Sequence, residues 1–207
     1  MQTKILKIKG DWQEVVDDCR ATVSKPPLGK EPSQKFKEDI LIAEHSPIRN
    51  ISARFLWEDI PYAIAMHWKT HTWQSKVNTQ RADRTGVDRS ERRQTDPVNF
   101  IGEMNAQNMI DTMRKRLCYM ADPETRALAE DFKMAMRNIE PEMFDVMVPN
   151  CVYRCGCPEI GGCGFWNKFL EVAEEEKYLF GLDIFNIRER YHCYNNFFYR
   201  ERQEEKE

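Results

Sequence analysis

Lys69-Thr70-His71 and, seven residues later, Thr79-Gln80-Arg81 concentrate groups that bind anions and move protons. The planar fork of Arg81 suits a phosphate, and the ammonium of Lys69 acts as a point charge. Thr79 offers a hydroxyl, and His71 titrates close to neutrality. Further on come Asn105-Ala106-Gln107, Arg116 and Arg126. On a helix turning about 100° per residue, Asn105, Thr112 and Arg116 fall within roughly 40° of one another. They border an apolar stripe of Ala106, Met109, Ile110, Met113, Leu117 and Met120. Such a ridge either presents donors to a docked ligand or carries a network between helices. Arg126 lies in the first turn of a helix opening at Asp122-Pro123, where it adds a cation to a positive helix end and so makes an anion site. Alternatively, it pairs with Glu130.

Two other groups have the residue types of metal sites. His67 and His71 are four apart, the spacing of helical zinc ligands. No glutamate follows His67, so the zinc-protease pattern fails, and structural or cofactor-facing histidines are the better reading. Cys151, Cys155, Cys157 and Cys163 are separated by three, one and five residues, with glycines among them. They either close a tetrahedral thiolate zinc site or remain reduced thiols in a tight turn. The arginines from Arg81 to Arg93 alternate with Asp83, Asp88 and Glu91, and no aromatic residue lies among them for base stacking. This stretch reads as a solvated loop.

The elements that must position these groups are legible in part. Lys4 to Lys9 reads as a strand. Asp11 with Glu14 forms a capping box for a helix to about Val23, and the proline-rich segment Lys25 to Ser33 is a loop. Ser33 caps a helix to about Glu44, which His45-Ser46-Pro47 terminates. Ile51, Ala53, Phe55 and Trp57 alternate as a half-buried strand. Asp59 and Pro61 open a helix that carries His67 and His71. A long helix is expected from about Gly102 to Met120, then another from Asp122-Pro123 to about Ile139. After Pro149 come a cysteine- and glycine-rich turn and helices near 167–177 and 184–199, with a frayed charged end from Arg200.

The chain has 207 residues, 41% hydrophobic and 31% charged, enough apolar surface to support a single folded domain. Its net charge of −3 argues against a dedicated nucleic-acid binder. No apolar run approaches a membrane span, and the N-terminus lacks a signal-peptide core. A soluble, cytoplasmic protein is expected. Seven cysteines, an odd number, fit thiols or metal ligands better than a disulfide framework.

In order and spacing, these pieces resemble the flavin-dependent thymidylate synthases, whose signature reads Arg-His-Arg, seven residues, then Ser-x-Arg. Here Lys69-Thr70-His71 and Thr79-Gln80-Arg81 fill that frame. Asn105-Ala106-Gln107 stands where the family has Asn-Ala-Arg, and Arg116 follows Asn105 by eleven residues. Ala121-Asp122-Pro123-Glu124-Thr125-Arg126 ends on an arginine as the family's substrate motif does. Glu44-His45 matches an upstream Glu-His segment. Met66 stands in place of a substrate-binding glutamine, and Thr70 in place of the signature histidine. The resemblance covers about residues 35–140.

It implies an α/β fold with an antiparallel sheet flanked by long helices, assembled as a homotetramer with active sites shared between subunits. Residues 1–207 would form one such domain, with a cysteine-rich helical extension from about residue 149. The implied reaction is reductive methylation of dUMP at C5 to dTMP, with FAD as cofactor and methylenetetrahydrofolate and NADPH as co-substrates. Thr79, Gln80, Arg81 and Arg126 would hold dUMP. His45, Lys69, His71, Asn105 and Arg116 would line the flavin site. No cysteine nucleophile is needed, and standard members do not depend on a zinc cluster. Two other outcomes fit the altered signature: a dUMP hydroxymethylase giving 5-hydroxymethyl-dUMP, and a nucleotide-binding homologue without catalysis.

Overall fold

Period-2 burial along β2 and β4 builds the centre of the computed structural model, which describes residues 2–204. Four strands, β1 (Thr3–Lys9), β2 (Ser52–Pro61), β3 (Gln74–Val77) and β4 (Pro97–Asn105), form one sheet in the order β1-β2-β4-β3. Every neighbouring pair is antiparallel. Ala53, Phe55 and Trp57 of β2 and Phe100 and Met104 of β4 are wholly buried on one face. The register sets Trp57 opposite Phe100 and Phe55 opposite Gly102. Gly102 is required by space: a Cβ there would lie 2.3 Å from Cζ of Phe55 and 2.8 Å from Cζ3 of Trp73.

Helices cover that face. In chain order they are α1 (Trp12–Ala21), α2 (Gln34–Ala43), α3 (Tyr62–Lys69), α4 (Ala82–Thr85), α5 (Ala106–Arg116), α6 (Pro123–Met136), α7 (Pro141–Val146), α8 (Asn150–Arg154), α9 (Phe165–Phe180) and α10 (Ile187–Glu204). Local caps start α1, α2 and α6. Asp11 accepts from the Glu14 amide at 2.8 Å, Ser33 from the Phe36 amide at 3.3 Å, and Asp122 from the Thr125 amide at 3.1 Å. Glu44 ends α2 in the left-handed conformation, and a 3-10 turn, Ser46–Asn50, leads into β2.

Several sequence expectations are corrected. The long helix expected from Gly102 is β4 followed by α5, because pairing with both β2 and β3 claims Pro97–Asn105 for the sheet. Asp59 does not open α3. It has φ 52° beside a register shift between Trp57 and Ile60, and the strand runs on to Pro61. Because α3 stops at Lys69, His71 lies beyond it, so His67 and His71 are not a pair on one helix. The charged end does not fray at Arg200; α10 continues to Glu204. The remainder of that end, 205–207, lies outside the described residues.

The C-terminal helices share the central core. One apolar cluster runs from Trp12 through the sheet to Phe165, Phe169, Tyr194 and Phe198. Lys133 of α6 is completely buried where α10 crosses, and its ammonium donates to Asn195 Oδ1 at 2.7 Å and the Phe144 carbonyl at 2.5 Å. Burial drives its pKa well down. Among the described residues, no helix is long and apolar enough to cross a membrane.

Replacing Gly102 with alanine is expected to lower stability by about 1–3 kcal/mol, because Phe55 and Trp73 must leave their packed positions. Denaturant titration with near-UV circular dichroism checks this; an unchanged midpoint would show that the rings yield freely.

Candidate functional site

The end of α3, the start of β3 and one face of α5 converge on His71. Arg116 of α5 donates from Nε to His71 Nε2 at 2.9 Å and from Nη2 to the His67 carbonyl at 2.6 Å. The His71 ring lies nearly parallel to Trp73, 8° between planes and 6.2 Å between centroids. Trp73 in turn donates from Nε1 to Thr112 at 3.2 Å. Two of the three ridge residues, Thr112 and Arg116, therefore face one cluster. The third, Asn105, instead caps α5, accepting from the Asn108 amide at 2.9 Å.

Burial, then Arg116 and Lys115, lower the His71 pKa to about 4. The imidazole is neutral at pH 7. Because Nε2 accepts from Arg116, its proton sits on Nδ1. His71 is thus set to donate through one nitrogen while Arg116 holds the other.

Beside this cluster opens a pocket of about 440 Å³, walled by His71, Trp73 and Thr112 together with Arg114, Lys115 and Tyr153. Arg114 is ion-paired with Glu44 and lies over the Tyr153 ring, 3.5 Å from its centroid. Gln107 also donates to Glu44 at 2.7 Å. Burial pushes the Glu44 carboxyl up, but the bonds from Arg114 and Gln107 outweigh it, leaving the pKa below its usual value. Arg114 Nε is buried with no hydrogen-bond partner. The pocket therefore combines flat aromatic surface, cations and neutral donors.

The other residues singled out from sequence lie outside this wall. Arg81 is exposed beyond β3 and clasps Asp83, at 3.0 Å from Nε and 2.6 Å from Nη2. Its amide donates to Thr79 Oγ1 at 3.4 Å, and Gln80 lies between them. Arg126 pairs with Glu130 at 3.2 Å and lies over the Tyr119 ring at 4.1 Å. Lys69 is the exposed last residue of α3, and His45 is exposed at the head of the 3-10 turn. Among the residues sequence reasoning missed, Trp73 sits two positions after His71, where alternation into β3 could have marked it. Arg114 and Tyr153 carried no such signal, since they meet only when α8 packs on α5.

The four cysteines grouped by spacing are also distributed differently. Cys155 caps α8 in the left-handed conformation, Cys151 is buried in that helix, and Cys157 and Cys163 are exposed on the loop that follows. Among the described residues, no three His, Cys, Asp or Glu side chains stand ready to hold a metal ion.

This architecture, a four-stranded antiparallel sheet backed by helices, is that of the flavin-dependent thymidylate synthases. A flavin-dependent thymidylate synthase from Helicobacter pylori, in a crystal structure with FAD and dUMP, superposes with a TM-score of 0.59 at 11% identity, covering 72% of this chain and all of that one. A second structure of that enzyme with FAD and dUMP gives 0.59 at 12% identity, covering 71% and 99%. The UMP/dUMP methylase PolB from Streptomyces cacaoi, bound with 5-Br dUMP, gives 0.56 at 10% identity, covering 70% and 93%. No protein-family model and no curated protein sequence matches the chain.

His71 is expected to titrate near pH 4 by NMR, and Arg116→Ala to raise that value by removing a neighbouring cation. The unfolded imidazole protonates near 6.5 and the folded one near 4, so stability falls as pH drops through that window. An unchanged pKa in the variant would remove the electrostatic coupling.

Proposed function

We propose that the chain is a flavin-dependent enzyme that methylates dUMP at C5 to give dTMP, with methylenetetrahydrofolate as carbon donor and NADPH as reductant. The observation that carries this reading is the neutral His71 stacked on Trp73 at the rim of a cation-lined pocket, within a fold otherwise seen holding FAD and dUMP.

The donor set fits FAD. Trp73, His71 and Tyr153 offer flat surface to a planar ring, and the cations Arg114 and Lys115 suit a pyrophosphate. When bound, FAD supplies the hydride chemistry. Of the residues assigned to the flavin, His71 lines this pocket, with Arg116 fixing its tautomer, while Lys69, Asn105 and His45 lie outside it. Thr79, Gln80, Arg81 and Arg126 hold the nucleotide. Arg81 and Arg126 lie away from the pocket walled by a single chain, which supports a homotetramer whose subunits complete each other's sites. Both guanidiniums rest against carboxylates, Asp83 and Glu130, so phosphate binding exchanges one anionic partner for another.

Arg81→Ala and Arg126→Ala are each expected to weaken dUMP binding, since a charge-assisted contact contributes on the order of 1.5–3 kcal/mol, or roughly ten- to hundredfold. Asp83→Asn, which frees Arg81, should tighten binding. Calorimetry with dUMP checks all three; unchanged affinity in both arginine variants removes the assignment.

A second reading is favoured by the altered Lys69-Thr70 end, where a lysine and a threonine change donor geometry and proton-transfer capacity. Water would then capture the transferred carbon, giving 5-hydroxymethyl-dUMP. Incubation with dUMP, methylenetetrahydrofolate, FAD and NADPH, followed by mass spectrometry of the nucleotide, separates the readings. One added methylene supports methylation, a further oxygen supports hydroxymethylation, and no mass change across conditions rejects both in favour of a nucleotide-binding protein.

A further inference from the structure

A second cavity, of about 210 Å³, opens between α2, α7 and α10 and shares no residue with the pocket beside His71. Its polar wall is Glu38 of α2, Glu142 and Asp145 of α7, and Arg188, His192 and Asn195 of α10. Glu142 and Asp145 are three residues apart, so α7 sets them one turn apart on the same side. The cations nearby are engaged elsewhere. Arg188 pairs with Asp39 and with Glu38 at 3.7 Å, and His192 is exposed at the rim. Lys133, behind Asn195, donates to Asn195 Oδ1 and the Phe144 carbonyl. The Asn195 amide in turn donates to Asp145, at 3.2 Å to Oδ1 and 3.1 Å to the backbone carbonyl.

Glu142 is the anomaly. It is only 8% exposed and faces the cavity, yet its carboxylate has no hydrogen bond or ion pair among the described residues. Burying an ionised carboxylate without a partner is strongly unfavourable, so such groups are normally paired or lose their charge. Asp145 is held in a similar way. Burial raises its pKa above the usual carboxylate value, and Glu38 and Glu142 add to the rise against the pull of Lys133 and His192. The cavity therefore holds more negative charge than its own cations neutralise. Among the described residues no three His, Cys, Asp or Glu side chains are grouped to hold a metal ion. A cation recognised here is instead one that binds through separate hydrogen bonds.

We propose that this cavity binds a short aliphatic primary amine, with the ammonium placed between Glu142 and Asp145. An ammonium carries three N–H donors and no acceptor. Two carboxylates a helical turn apart accept two of those donors in charge-assisted bonds. Asn195, 7% exposed and bonded to both Lys133 and Asp145, holds the second carboxylate in place. Ile42 and Val146 supply apolar wall for the carbon chain. At about 30 Å³ per water, the cavity of about 210 Å³ equals roughly seven waters, which suits an amine of a few carbons. This site is separate from the pocket beside His71, so it stands or falls independently of the reaction proposed above.

Calorimetric titration of the full chain with n-butylammonium chloride at fixed ionic strength tests the site. One saturable site is expected, with a matching rise in melting temperature. Tetramethylammonium, which has no N–H donor, and magnesium should not compete. Glu142→Gln is expected to weaken n-butylammonium binding roughly ten- to hundredfold, the range for a lost charge-assisted bond, and Asp145→Asn to weaken it likewise. Without amine, Glu142→Gln should melt at or above the wild-type temperature, because it removes a buried carboxylate that has no partner. Absence of saturable binding, displacement by magnesium or tetramethylammonium, or unchanged affinity in Glu142→Gln would each overturn the proposal. A lower melting temperature for amine-free Glu142→Gln would also overturn it, by assigning that carboxylate to the fold.

Discussion

The antiparallel pairing of β2 with β4 sets Phe55, Trp57 and Phe100 on one buried face, and the site's geometry depends on that face. Phe55 meets Trp57 at 4.6 Å and Phe132 of α6 at 5.0 Å, while Trp57 meets Trp68 of α3 at 4.7 Å. Trp73 enters the same cluster edge-on to Phe100 at 5.8 Å, over the space that Gly102 leaves. Trp68 and Trp73 bracket His71 in sequence, so anchoring both indoles fixes the turn between them. The imidazole is held where it can stack on Trp73 and accept from Arg116. Offset and edge-on aromatic pairs contribute about 0.5–1.5 kcal/mol beyond area burial. Here they also convert sheet register into side-chain position.

The charged groups form a second layer with a different logic. Glu44, Arg114 and Gln107 join the end of α2 to α5, and Tyr153 brings α8 onto the same guanidinium. Arg190 of α10 then donates to the carbonyls of Val152 at 2.6 Å and Tyr153 at 3.2 Å, so α10 braces α8 from behind. Lys133, with Asn195 and the Phe144 carbonyl, pins the same helix to α6. The helices after residue 140 therefore build one wall of the pocket. By contrast, the exposed Arg81–Asp83 pair contributes little to stability, because surface ion pairs are screened and entropically costly. That makes Arg81 inexpensive to redirect toward a ligand.

What was legible in the sequence follows from which forces are local. Asp11, Ser33 and Asp122 cap their helices within three residues, and each start was readable. Alternation at Ala53, Phe55 and Trp57 marked β2. β4 was missed because nothing local separates Gly102–Asn105 from the apolar helical stripe that begins at Ala106, Met109 and Ile110. Only pairing with β2 and β3 decides that Asn105 is a cap and Gly102 a strand residue. β3 is four largely polar residues whose strand state exists only through β4. At the site, the family resemblance selected His71 and Arg116, two side chains that do touch. Arg114 and Tyr153 gain their roles from packing between α5 and α8, which no local pattern encodes.

Whether this pocket takes a flavin can be measured directly. The purified chain, incubated with FAD and then desalted, is predicted to keep the visible absorption bands of oxidised flavin. If the nucleotide binds beside the flavin as proposed, addition of dUMP should then perturb those bands. Protein that emerges colourless after loading, with its fold intact by circular dichroism, would contradict the account.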